Sequence, residues 1–199
     1  MDNPQRTLPE PRTEGPMSLE AAIAQRRSVR RYGPVNLTLE EIGQLLWSAQ
    51  GITGKGPNRR AAPSAGGRHP LVLYVCRDDG IWRYQPERHA LKQHLDRDVR
   101  EALAEAAWRQ EFIADAPCVF AMTAVFERTT ERYEERGRTR YVPMDSGHSA
   151  ENLSLQAVAL GLGSVSVGAF SDVEVKRVLE LPDEEEPMYL IPVGHPRER

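Results

Sequence analysis

Leu71-Val72-Leu73-Tyr74-Val75-Cys76 is followed by Arg77-Asp78-Asp79-Gly80 and then by Ile81-Trp82-Arg83-Tyr84-Gln85. Two short runs rich in β-branched and aromatic residues, parted by Asp79-Gly80, predict an antiparallel β-hairpin. Working outward, PCVFAMTAVF (117–126), SVSVGAF (164–170) and MYLIPVGHP (188–196) predict three further strands. Helical spacing lies between and before them. Ser18 caps a short helix over LEAAIAQRR. Thr38 and Glu41 form a capping box for a helix that ends at Gly51. Helices are also expected at about 97–109, at 145–161 and after the Ser171/Glu174 cap. Strands and helices mix without strict alternation, which points to an α+β fold rather than a doubly wound sheet.

The chain has 199 residues, 40% of them apolar and 28% charged, the balance of one globular domain. Residues 1–16 hold four prolines and little that is apolar, so they read as an extended arm ahead of a single domain over 17–199. A net charge of −3 gives no basic footprint for nucleic acid. Cys76 and Cys118 sit inside apolar runs and match no zinc or C-x-x-C spacing, so buried thiols in a reducing, cytoplasmic setting are expected. No charged segment followed by an apolar stretch opens the chain. The uncharged run 152–171 is interrupted by Gln156, four serines and three glycines, so no membrane span is expected.

Four places could carry chemistry. Arg26-Arg27-Ser28-Val29-Arg30-Arg31 packs four guanidiniums into six residues. By itself this is as well explained by a helix C-terminus decorated with cations as by a phosphate site. Pro63-Ser64-Ala65-Gly66-Gly67 lies in a long Gly/Pro/Arg-rich loop, where small residues let bare backbone approach a flat ligand. Gly161-Leu162-Gly163-Ser164 and Val167-Gly168-Ala169 do the same at a strand end. His195 to Arg199 brings more arginine to the C-terminal end. The segment ERTTERYEERGRTRY (127–141) alternates charges, as a solvated helix or a flap does. His148, on the apolar 145–161 helix, is expected to be a hydrogen-bonded core histidine rather than an acid. No paired carboxylates and no Ser/His/Asp set stand out.

Singly these signals are weak, but their order is specific. R-R-S-x-R-x-Y at 26–32, L-L-W-x-A-Q-G-I-T at 45–53, P-S-A-G-G-x-x-P-L at 63–71, G-H-x-x-x-N-L at 147–153, G-A-F at 168–170 and Y-L-I-P-V-G-x-P at 189–196 follow one another. Together they resemble the FMN-dependent nitroreductase family, over nearly the whole chain from Ser18 to Pro196. Within the family the likeness is greatest to the SagB-type branch, which includes azoline (thiazole/oxazole) dehydrogenases of peptide-modifying clusters. The resemblance implies a three-layer α/β/α sandwich around a mostly antiparallel sheet, and an intertwined homodimer with FMN at the interface. It nominates Arg26, Arg27, Ser28 and Arg30 for the FMN phosphate, joined by Arg197 or Arg199. Pro63, Ser64, Ala65 and Gly67 would reach the flavin of the other subunit. Gln110 would meet its polar edge, and Val167, Gly168 and Ala169 its N5 side.

Azoline dehydrogenases carry a Lys-Tyr pair ahead of the G-H helix. Here Arg132-Tyr133 stands closest, and an arginine is too basic to act as a base. Tyr133 or Tyr141 is the candidate proton donor, with Tyr133 the nearer match; the alternative is that both are surface residues of a charged helix. The expected function is therefore an FMN oxidoreductase, driven by NADH or NADPH in a ping-pong cycle and reducing small electron-poor acceptors such as nitroaromatics or quinones. Its alternatives are a peptide azoline dehydrogenase and a flavin-binding carrier or redox sensor without turnover. No G-x-G-x-x-G is present, so the nicotinamide is expected to visit only transiently.

Overall fold

The computed structural model describes residues 4–56 and 59–197. The hairpin forms as expected: β2 (Leu71–Arg77) pairs antiparallel with β3 (Gly80–Gln85), Arg77 facing Gly80. The turn is thus Asp78-Asp79, one residue earlier than the sequence suggested. Gly80 closes it at φ +116°, where a Cβ would strike the Leu95 carbonyl, so no other residue fits well there.

The hairpin sits inside a seven-stranded sheet. The other strands are β1 (Gln5–Thr7), β4 (Ala90–Leu95), β5 (Cys118–Val125), β6 (Gly163–Ser164) and β7 (Glu185–Gly194). Their order is β1-β4-β3-β2-β5-β7-β6, and every pairing between them is antiparallel. Both faces are covered, which explains why the central strands read as unbroken apolar runs. Leu71, Leu73 and Val75 of β2, with Phe120 and Met122 of β5, enter one core. Val72, Tyr74 and Cys76, with Val119 and Ala121, enter the other.

The first core is roofed by α2 (Leu39–Gln50) and α6 (Val142–Ala159), the second by α3 (Arg100–Ala106), α4 (Phe112–Asp115) and α7 (Asp172–Val178). α1 (Leu19–Gln25) lies against α6. The result is the expected α+β sandwich of three layers. The Ser18, Thr38/Glu41 and Ser171 caps are all made. Cys76 and Cys118 are free and buried, and burial pushes the Cys118 thiol up to about 12. Among the described residues no helix is long and apolar enough to cross a membrane.

Several local expectations change. The proline-rich arm is extended, yet it is part of the sheet: β1 pairs with β4, Leu8 is buried, and Arg12 exchanges hydrogen bonds with Gln44. β4 itself (ALKQHL) carries only weak alternation, and pairing to β3 and β1 decides it. The helix expected at 97–109 spans only Arg100–Ala106. The Asp98 carboxylate accepts from the Arg100 backbone and side chain at its start, and Trp108 and Arg109 turn left-handed (φ +55° and +63°) at its end. SVSVGAF is strand only at Gly163–Ser164. Beyond that, Val167 makes a single bridge to Leu190 before the chain turns outward at Gly168 and Ala169.

Candidate functional site

The arginine segment leaves α1 and runs beside the second sheet edge. Ser28 bridges Ser164, and the Val29 N–H donates to the Ser164 carbonyl at 3.0 Å. Tyr32 bridges Pro196, and the Arg197 N–H donates to the Arg31 carbonyl at 3.0 Å. This pairing brings two ends of the chain together. Arg30, Arg31 and Arg197 line one cavity of about 660 Å³, with Asp115 as its acidic member. Arg26 stands 3.7 Å from Glu151 of α6. Arg27 is used differently, since its guanidinium donates to the carbonyls of Ala24 (3.0 Å) and Arg26 (2.7 Å). A cation on the last carbonyls of a helix is what the negative end of its dipole favours. Arg199 lies outside the described residues.

A second group adjoins the first. The Arg30 guanidinium lies 5.5 Å above the Phe112 ring. Two residues back, Gln110 Nε2 donates to the carbonyls of Ala107 (2.9 Å) and Ala169 (2.8 Å). With both amide hydrogens committed to carbonyls, the side chain is fixed with Oε1 as its remaining polar atom. Val167 is buried and paired to Leu190, whereas Gly168 and Ala169 are exposed. The backbone nominated for the flavin ring and the glutamine nominated for its edge are therefore one hydrogen-bonded unit.

The loop at 63–67 forms a third group on different supports. Ser64 Oγ donates to Asp145 Oδ2 at 2.6 Å and accepts from the His69 N–H at 2.9 Å. The Ala65 N–H points at Asp145 Oδ1 at 3.4 Å. Gly66 and Gly67 are both left-handed. A Cβ on Gly66 would stand 2.7 Å from the Tyr133 hydroxyl, so that hydroxyl lies directly over the loop. Tyr133 belongs to α5 (Glu127–Arg136), whose charged sequence is helical here, and its ring meets Tyr141 edge-on at 4.9 Å. Among the described residues no hydrogen bond or ion pair joins this loop to Arg26–Arg30 or to Gln110.

Two histidines and one aspartate sharpen the picture. His148 is exposed, contrary to expectation. The inward face of α6 is set by Val142, Asp145, Ser146, Ser149, Ala150 and Leu153, and position 148 falls outside that stripe. His69 is buried and left-handed at the end of the loop. Asp145 escaped the sequence reading because nothing local marks it: it is one acidic residue early in a helix. Only the fold shows that it is buried and holds Ser64 and Ala65.

Burial pushes the Asp145 carboxyl above the usual aspartate range, against the opposing pull of the Ser64 hydroxyl and Ala65 N–H. A raised folded pKa means that stability is fully present below the unfolded value near 4 and is lost as pH rises through the folded one. Asp145→Asn keeps an acceptor for Ser64 and removes the titration. The wild type should therefore lose stability relative to Asp145→Asn between about pH 4 and neutrality. Urea unfolding of both proteins at the two ends of that range checks it, and a constant difference would contradict it.

The model of the nitroreductase family matches residues 23–195. The chain belongs to the nitroreductase family. A nitroreductase by name from Methanocaldococcus jannaschii is 45% identical over 184 residues, covering 89% of this chain and 91% of that protein. A nitroreductase structure from Ralstonia eutropha superposes with a TM-score of 0.88 at 30% identity, covering 98% of this chain and 90% of that one. The trifolitoxin-processing protein TfxB of Rhizobium leguminosarum is 32% identical over 133 residues, which cover 62% of this chain but only 36% of TfxB. This nitroreductase-family chain thus matches about a third of that processing protein's length.

Proposed function

We propose that this nitroreductase-family oxidoreductase binds FMN and uses it to carry electrons from NADH or NADPH to small electron-poor acceptors such as nitroaromatics or quinones. The observation that carries the reading is the convergence of Arg30, Arg31 and Arg197 on one cavity, next to the Gln110–Ala169 unit. The donor set fits a phosphate monoester, which bears close to two negative charges and is matched by forked guanidiniums. When bound, the flavin supplies hydride acceptance and release at its ring.

The chain's own residues do the rest. Arg30 and Arg197 neutralise the phosphate, with Arg26 and Ser28 alongside. Gln110 Oε1 and the bare backbone of Gly168 and Ala169 orient the ring. Tyr133 holds a proton over Gly66. No resident acid–base pair is needed beyond that, and donor and acceptor visit the same face in turn in a ping-pong cycle.

The 63–67 loop reaches the site in a homodimer, from the second subunit. Supporting this, α6 leaves Leu155, Val158 and Ala159 only half-buried, as is Leu160 at its C-terminal cap, and α1 exposes Leu19 and Ile23 beside it. Covering those side chains needs a partner, and a second copy supplies the loop as well. The buried free thiols fit a reducing, cytoplasmic setting.

The test is the visible spectrum of the purified protein under anaerobic conditions, before and after NADH or NADPH. A flavin band that bleaches is expected. A protein that stays colourless after incubation with FMN would overturn the reading. A bound flavin that neither nicotinamide reduces would favour a peptide azoline dehydrogenase, the reading to which the similarity to TfxB gives weight, or a flavin carrier without turnover.

A further inference from the structure

Beside the 63–67 loop lies a cavity of about 490 Å³ lined by Gly66, Gly67, Arg68, Arg128, Glu131 and Arg132. Three arginines and one glutamate thus line it. Arg128 is held in place by donating to the His69 carbonyl at 3.2 Å. Arg132 leans on the Tyr133 ring at 5.3 Å. Among the described residues neither Arg68 nor Arg132 has a carboxylate within ion-pair distance. Arg6, Arg60, Arg97, Arg100, Arg138 and Arg177 all have one. The surplus positive charge therefore stands at a concave site, over glycines without side chains and next to the Tyr133 hydroxyl.

We infer that this cavity anchors the carboxylate of the electron acceptor, so that aromatic acids are preferred over neutral aromatics. The inference rests on the redox reading above and names the substrate class for it. Planar guanidinium forks match a carboxylate with two parallel hydrogen bonds, which a neutral amide cannot reproduce. The carboxylate held between Arg68 and Arg132 would leave the far end of an aromatic acceptor beneath Tyr133, where the proton is available.

The test uses the full-length protein as purified, titrated calorimetrically with 4-nitrobenzoate and with 4-nitrobenzamide. The acid should bind about tenfold tighter or more, the size of one charge-assisted interaction. Raising the salt concentration should erode binding of the acid and leave that of the amide. Arg68→Ala/Arg132→Ala should abolish the preference while amide binding, flavin content and the thermal midpoint stay unchanged. Arg68→Lys/Arg132→Lys should restore part of it.

Equal binding of acid and amide, or equal weakening of both in the alanine variant, would overturn the inference. So would a variant whose only change is a higher KM for NADPH than for NADH, since the arginines would then serve the donor. Non-selective binding with a flavin that still bleaches would remove the anion site alone. Selective binding with a flavin that no nicotinamide reduces would overturn the redox reading, and the acceptor role with it.

Discussion

A protein carrying both Arg30→Ala and Arg197→Ala is expected to purify without flavin and to bind added FMN about a hundredfold or more weakly than the wild type. Each guanidinium would make a charge-assisted hydrogen bond to the phosphate, worth about 1.5–3 kcal/mol. The two sides of the cavity come from chain segments more than 160 residues apart, joined through the Tyr32–Pro196 bridge and the Arg197 N–H to Arg31 bond. Neither change removes a side chain from the core, so the fold should survive. Fluorescence titration with FMN and with riboflavin separates the causes. Riboflavin lacks the phosphate, so its affinity should be nearly the same in both proteins. Equal loss for the two ligands would mean that the variant has damaged the ring site instead, and an unchanged FMN affinity would place the phosphate elsewhere.

The largest loss of stability is expected from Glu185→Ala. Glu185 opens β7 and is buried, with its carboxylate accepting from the Tyr74 hydroxyl of β2 (3.0 Å), the Thr123 hydroxyl of β5 (2.7 Å) and the Arg83 guanidinium of β3 (3.3 Å). One side chain thus clasps three strands besides its own. Burial, reinforced by the nearby carboxylate, pushes the Tyr74 phenol above its ordinary range, so it remains a donor at every working pH.

Removal of the carboxylate strands two hydroxyls and a guanidinium that is half in solvent. Leaving the two buried hydroxyls without their acceptor costs about 1–3 kcal/mol each. Urea unfolding at a fixed protein concentration measures it. Glu185→Gln, which keeps two of the acceptor contacts but not the charge, should lose less. A loss below about 1 kcal/mol in the alanine variant would show that water replaces the carboxylate at little cost.

Much of this was legible in the residues. The caps at Ser18, Thr38/Glu41 and Ser171 are local chemistry, and they form where the spacing places them because capping needs only neighbours three residues away. The central strands were equally clear, because a strand buried on both faces is apolar at every position. What depended on distant partners was not. β4 exists because β3 and β1 flank it, SVSVGAF is mostly irregular because beyond Ser164 only Val167 finds a bridge, and the helix at 100–106 stops where Trp108 and Arg109 turn left-handed.

The site divides in the same way. The order of motifs along the chain pointed to the family and to Arg30, Ser64, Gln110 and Ala169 without any coordinates. By itself the sequence determined which residue types fall in which motif: clustered arginines at 26–31, bare backbone at 65–67 and 168–169, and a tyrosine in a charged segment. Only the tertiary structure decided which of them can act together. It gave Arg27 to a helix end and exposed His148. It buried Asp145 beneath Ser64 and set Tyr133 over Gly66, beside the cavity that Arg68, Arg128 and Arg132 line. The physical reason is range. Caps and strand patterns are set by contacts a few residues apart, whereas burial, and the fate of a charge, are set by whatever the sheet and its helices bring in from elsewhere in the chain.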